Sequence, residues 1–398
     1  MSELSTQLIH HPYRAPAGFD AVAPGVHKAS TVIFPSVHAL RTQEWVDKSG
    51  YTYGLHGTPT TFTLEERIAT IEGGLHCVLA PSGLSAVSLV DMAFLRQGDE
   101  LLIPDNAYGP NKSFASGELA AWGISHRFYD AQNPQDLADK MGPSTRLVWL
   151  EAPGSITLEY PDLPALVAEV RKANGLRSDG SRAIVTALDN TWGAGIAFDA
   201  FEMGVDVSMQ ALTKYPSGGA DVLMGSVVTR DERLHRQVLM THMRLGLGVS
   251  GNDTELVLRG LHSMALRYQA QDTSTRALAS WMQSQKGVIQ VLHPALEGSP
   301  GHETWARDAK AAACLFSVVF DERFDQARID AFCDSLRLFK LGWSWAGPIS
   351  LCAPYDVASM RKAPWPHKGG LVRFAVGLEA VADLQADLAQ ALDRLNSA

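Results

Sequence analysis

The chain has 398 residues, 46% of them apolar, with 43 acidic and 34 basic side chains and a formal net charge of −9. That length allows two or three domains and a large core, and an acidic balance without any long basic run argues against nucleic acid or anionic membrane as partners. No apolar stretch reaches the ~20 residues that span a bilayer, the N-terminus lacks the charged head and apolar centre of a signal peptide, and Cys77, Cys314, Cys333 and Cys352 form no CxxC pair, so a reduced, cytoplasmic protein is expected.

Residues 1–60, rich in Pro, Gly, His and Tyr and poor in periodic pattern, read as an extended arm of the kind that packs on a partner subunit. From 61 to 250 short apolar runs alternate with helical patterns. Helices are expected over 63–72 and 84–95, and strands over 76–80, 100–103, 147–150, 183–188, 207–211 and 226–229. Short apolar strands between helices mean an α/β unit with a largely parallel sheet covered on both faces. A long helix over about 253–285 leads into a smaller C-terminal α/β unit at 251–398. There, strands at 315–320 and 370–376 accompany helices near 325–336 and 380–395.

In such a sheet ligands gather at the carboxyl ends of the strands. The 76–80 run is followed by Pro81-Ser82-Gly83-Leu84 at a helix start, which suits either a phosphate cradle or a plain serine cap. The 100–103 run leads to Tyr108, placed to stack on a planar ligand or simply to pack. The 147–150 run leads to Glu151-Ala152-Pro153-Gly154-Ser155. The last two runs end at Asp189 and, in Leu212-Thr213-Lys214-Tyr215, at Lys214. A lysine and an aspartate at the ends of two buried strands suggest a pyridoxal phosphate (PLP) site. The lysine would form a Schiff base and the carboxylate would keep the ring nitrogen protonated.

Three stretches carry a more specific resemblance: Pro153-Gly154-Ser155-Ile156-Thr157-Leu158-Glu159, Asp189-Asn190-Thr191-Trp192-Gly193-Ala194-Gly195, and Gln210 to Tyr215. Over about residues 4–395 the chain is similar to the Cys/Met-metabolism PLP enzymes of fold type I. Pro-Gly-Ser and the Trp after Asp-Asn-Thr make it resemble their β-lyase branch. The resemblance implies a seven-stranded, largely parallel sheet between helices, a smaller C-terminal domain, and a homotetramer of dimers with shared sites. It also implies β-elimination of a thioether amino acid, with cystathionine giving homocysteine, pyruvate and ammonia. Residue by residue it implies Lys214 as Schiff-base lysine, Asp189 as ring-nitrogen partner, and Gly83, Leu84 and Thr213 as phosphate donors. Tyr108 would stack on the cofactor, Tyr53 would reach a neighbouring subunit's phosphate, and Arg373 would fork the substrate carboxylate. Ser344 and Trp345 would wall the substrate, and Lys214, Tyr108 and Tyr53 would share the proton transfers.

Two positions depart from that pattern. Leu55 stands where the family has a phosphate-binding Arg, and Ile349 where it has a Glu before Ser350-Leu351. A γ-lyase, a γ-synthase, a cysteine-S-conjugate β-lyase and a non-catalytic PLP protein remain alternatives. So does a nicotinamide dehydrogenase, because Gly246-Leu247-Gly248-Val249-Ser250-Gly251 fits GxGxxG with Asp272 downstream. No strand precedes that run, however, and it reads better as a loop entering the long helix. His10-His11 and His302-Glu303 lack metal-ligand spacing, so no metal is expected.

Overall fold

Six runs rich in β-branched and apolar residues, and one mixed segment, Ser125–Tyr129, form the seven strands of one sheet: β1 (His76–Ala80), β2 (Glu100–Pro104), β3 (Ser125–Tyr129), β4 (Thr145–Glu151), β5 (Val185–Asp189), β6 (Val207–Ala211) and β7 (Gly225–Thr229). The computed structural model describes residues 3–11, 13, 17–19, 21–177 and 182–397, so the arm is described only in part. Strand order is β1-β7-β6-β5-β4-β2-β3, and only β7 runs against its neighbours. The sheet is therefore largely parallel, as expected.

Alternate residues of each strand feed opposite layers. Val148 and Leu150 of β4 join Leu64, Ile68, Leu166 and Val167 from helices Pro59–Ile71 and Leu163–Gly175. Leu147 and Trp149 join Val87, Val90, Leu234 and Val238 from helices Gly83–Phe94 and Glu232–Leu245 on the other face. Burial on both faces explains why these strands read as continuous apolar runs.

The register assembles one end of the sheet. Glu151 lies opposite Asp189, and Asp189 opposite Met209. Ala211 and Ala80 both lie opposite Gly225. The chain leaving β1 and the chain leaving β6 thus emerge side by side across the start of β7. Gly225 must stay small there, because an added Cβ would stand 2.4 Å from the Ser82 carbonyl oxygen.

A 32-residue helix, Gly251–Met282, leads to a second sheet of β8 (Val288–Leu292), β9 (Leu315–Phe320), β10 (Lys340–Leu341), β11 (Leu351–Tyr355) and β12 (Leu371–Ala375), in the order β10-β11-β12-β9-β8. Only β10 and β11 are parallel neighbours. Helix Val381–Ser397 lays Leu384, Leu388, Leu392 and Leu395 on this sheet at helical spacing.

The structure adds strands that the hydrophobic pattern does not announce. β3 is a sheet edge whose residues alternate between exposed and half-buried up to the buried Tyr129, and its Ser125, His126 and Arg127 dilute any apolar run. β8, β10 and β11 are short or half-exposed. The GxGxxG run is a helix–helix connection. Gly246 ends helix Glu232–Leu245 in the left-handed conformation (φ 66°), and Ser250 caps the long helix by accepting the Asn252 N–H at 3.2 Å. Asp272 is bound to Arg276 at 2.6 Å. Among the described residues no cluster of His, Cys, Asp or Glu could hold a metal, and no helix is long and apolar enough to cross a membrane.

Candidate active site

The strand ends and the second sheet enclose a cavity of about 490 Å³. Gly83, Leu84, Tyr108, Asp189, Thr213, Lys214, Trp345 and Arg373 line it, so eight of the ten site residues singled out in the sequence meet in one place. Ser344 touches the site through Lys214, whose Nζ donates to Ser344 Oγ at 2.7 Å. Tyr53 does not line its own chain's cavity. It sits half exposed on the arm, edge-on to His56.

Lys214 is held by its surroundings. Its N–H donates to the Ala211 carbonyl and its own carbonyl accepts from Gly218, which adopts φ 66°. Arg267 on the long helix donates to the Tyr215 carbonyl at 2.7 Å, and Tyr215 Oη accepts the Cys314 N–H at 2.8 Å, tying this loop to β9. Burial, and then the nearby Arg373 cation, lower the Lys214 ammonium to about 8. The neutral amine therefore forms as pH rises through about 8, whereas an ordinary lysine waits until about 10.4. In the apoprotein, reductive labelling of Lys214 with a small aldehyde should accelerate with an inflection near pH 8. An inflection above pH 10 would refute this.

Asp189 is fixed by Thr191. Its Oδ1 accepts the Thr191 N–H (3.0 Å) and hydroxyl (2.6 Å), and that hydroxyl accepts the Ala211 N–H (2.9 Å). Burial lifts the carboxyl above its usual range, while the Thr191 bonds and Lys214 oppose the shift. Such a carboxylate suits a cationic ring nitrogen. Beside it, Glu151 accepts the Tyr108 N–H at 2.8 Å, and burial together with Asp189 pushes its carboxyl well up. Tyr108 itself is raised, first by burial and then by Asp189 and Glu151, so its phenol keeps its proton.

At the end of β1, Ser82 caps helix Gly83–Phe94 by accepting the Ser85 N–H at 3.0 Å. The helix start, with its first N–H groups, faces the cavity and suits a phosphate. Gly83 permits this approach, since an added Cβ would lie 2.7 Å from the Ala211 Cβ. Thr213 exchanges both its hydroxyl bonds with the Met224 backbone (3.1 and 3.3 Å).

Arg373 enters from β12. It is 6% exposed and donates to the Ser155 carbonyl at 3.2 Å, and its guanidinium lies 5.2 Å from the Tyr355 ring centre. Among the described residues it has no carboxylate partner. A buried, unpaired guanidinium lining a cavity is costly unless an anion comes to it, which fits a substrate carboxylate.

Sequence reasoning passed over Glu151 as a site residue, although it ends a buried strand just as Asp189 does. It also missed Tyr355, at the end of β11, and Met360, at the end of the short helix Val357–Met360, and took Trp192 only as a mark of resemblance; all three line the cavity. The two departures lie off the cavity. Leu55 borders a smaller hollow with His56, Lys48, Glu65 and His242, and packs 3.3 Å from where a Cβ on Gly248 would stand. His56 is engaged by Thr52 (2.8 Å) and stacked on Trp45. Ile349 is 57% exposed, and the following Ser350 is held by Glu379 at 2.8 Å.

Residues 5–393 match the family model described as Cys/Met metabolism PLP-dependent enzyme. The chain belongs to that family. It is similar to cystathionine beta-lyase MetC of Escherichia coli strain K12, 36% identical over 391 residues and 97% of each chain. It is also similar to cystathionine beta-lyase of Bordetella avium, 37% identical over 400 residues and 97% of each chain. Among solved structures it resembles cystathionine gamma synthase from Xanthomonas oryzae pv. oryzae in complex with aminoacrylate and cysteine. There the TM-score is 0.88 and identity 29%, over 100% of this chain and 99% of the other. Family membership makes the cofactor pyridoxal phosphate. The residues fit it: an enclosed lysine amine, an aspartate at the facing strand end and a helix start converge on one cavity.

Proposed function

We propose that this protein is a carbon–sulfur lyase that cleaves the Cβ–S bond of an L-cysteine thioether, with cystathionine giving homocysteine, pyruvate and ammonia. The observation that carries this reading is the shared cavity of Lys214, Asp189 and the unpaired Arg373. The β-lyase relatives and the Pro153-Gly154-Ser155 and Thr191-Trp192 sequences support it. PLP, when bound, supplies an electron sink for the pair left on Cα when its proton is removed.

The protein's residues do the rest. Arg373 receives the substrate carboxylate in a two-pronged bond that a lysine could not match. Lys214, neutral above about pH 8, takes the Cα proton. The Cβ–S bond breaks with its electron pair staying on sulfur, and Lys214, Tyr108 or a partner's copy of Tyr53 returns a proton to the leaving thiolate. Asp189 would hold the ring nitrogen, Gly83, Leu84 and Thr213 would receive the phosphate, and Ser344 and Trp345 would wall the substrate, while Ser344 orients the lysine amine.

The reading extends to assembly. The arm exposes Phe19, Val22, Ile33, Val37 and Leu40, apolar groups that a second copy would cover. We take the chain as an arm (1–60), a PLP-binding domain (61–250) and a linker helix with C-terminal domain (251–398), acting in the cytoplasm as a homotetramer of dimers. Product identification with cystathionine tests the function. Pyruvate with homocysteine is expected, and 2-oxobutyrate with cysteine would assign γ-elimination instead.

A further inference from the structure

The chain between β11 and β12 leaves the second sheet, crosses to the rim of the cavity and returns. Tyr355, the last residue of β11, and Met360 on this strap line the cavity. Tyr355 joins the carboxylate clamp to the mouth, since its ring lies 5.2 Å from the Arg373 guanidinium and 5.3 Å from the Trp343 ring, which is 75% exposed.

Three ties fasten the strap to the loops after β2 and β4. The Asp105 carboxylate accepts the N–H groups of Lys362 (2.8 Å) and Ala363 (2.7 Å). The Lys112 ammonium donates to the carbonyls of Met360 and Asp105. Arg361 donates to Glu159 Oε1 at 3.0 Å, with both side chains 12% exposed. Glu159 is pre-set for this contact, because its Oε2 already accepts from Asn106 (2.7 Å) and Thr157 (3.0 Å). Asn106 in turn packs so tightly on Gly154 that an added Cβ there would stand 2.3 Å from its amide nitrogen. The loop that bonds Arg373 through Ser155 is thus the same loop that grips the strap through Glu159. An ion pair this enclosed holds geometry better than a solvated one, and breaking it leaves a poorly hydrated charge.

We propose that Arg361–Glu159 is a latch and that Arg361 is a positioning residue for substrate selection. It fixes the strap so that Met360 and Tyr355 form the wall against which the S-substituent rests. This rests on the thioether-lyase reading above. No proton transfer passes through the pair, so the latch acts on binding.

Arg361→Gln and Arg361→Lys holoenzymes, compared with wild type on cystathionine and on S-methylcysteine, test it, with trypsin cleavage after Lys362 as a second readout. In Arg361→Gln the KM for cystathionine should rise about ten-fold with kcat changed less than about two-fold, since loss of uniform binding moves KM alone. KM for S-methylcysteine, which barely reaches the wall, should move much less. Cleavage after Lys362 should quicken in Arg361→Gln, and Arg361→Lys should restore both measures. Equal KM changes on the two substrates, or a fall in kcat alone, would overturn the inference. If wild type forms no pyruvate from either thioether, the lyase reading fails, and the trypsin rates decide the latch: no acceleration in Arg361→Gln then overturns it.

Discussion

Lys214→Ala is expected to lose at least about 10³-fold in pyruvate formation, because it removes both the cofactor's covalent anchor and the base that takes the Cα proton. The substitution leaves the scaffold standing. Among the described residues the Lys214 side chain hydrogen-bonds Ser344 alone and lies 5.4 Å from the Trp345 ring centre, while the loop is held through backbone contacts and Arg267. The variant should therefore melt near the wild-type temperature and still bind PLP reversibly through Asp189 and the start of helix Gly83–Phe94. Its visible absorption should differ from wild type and should not change on borohydride treatment. Turnover within ten-fold of wild type would remove Lys214 from the mechanism.

Arg373→Ala should act next most strongly. Truncating one side of a buried charge-assisted pair costs about 2–5 kcal/mol, or roughly 30-fold to several thousand-fold in kcat/KM. Arg373→Lys keeps the charge but not the fork and should fall between. A second effect has a definite sign. Arg373 is one of the causes that hold the Lys214 ammonium down near 8, so removing the guanidinium must raise it. The inflection for labelling Lys214 in the Arg373→Ala apoprotein should move above pH 8, and in Arg373→Lys it should stay close to the wild-type position. An unchanged inflection in Arg373→Ala would mean that the two cations do not share the cavity as described.

Much of the site was legible in sequence because buried parallel strands write themselves as short apolar runs, and the chemistry follows each run. β1 and β6 were read over their full length, and β5, which ends at Asp189, to within two residues. The register then completed the picture, placing Glu151 beside Asp189 and the Ser82 turn beside the Lys214 loop. β3 was not legible, because it alternates with solvent and carries His126 and Arg127. Nor was the strap. Asp105, Glu159 and Arg361 are separated by 54 and 202 positions, and nothing local marks them as partners. The Gly246–Gly251 run shows the opposite failure. A motif can be present in sequence while its glycines merely end one helix and lead into another.

The central claim is that Lys214 in this cavity carries the cofactor. Borohydride reduction of the purified holoenzyme, followed by peptide mass mapping, tests it most directly. The account predicts one pyridoxyl group per chain, on Lys214 in the Leu212-Thr213-Lys214-Tyr215 segment. Labelling at Lys112, Lys48 or any other lysine, or no covalent label on a protein that binds PLP, would contradict it.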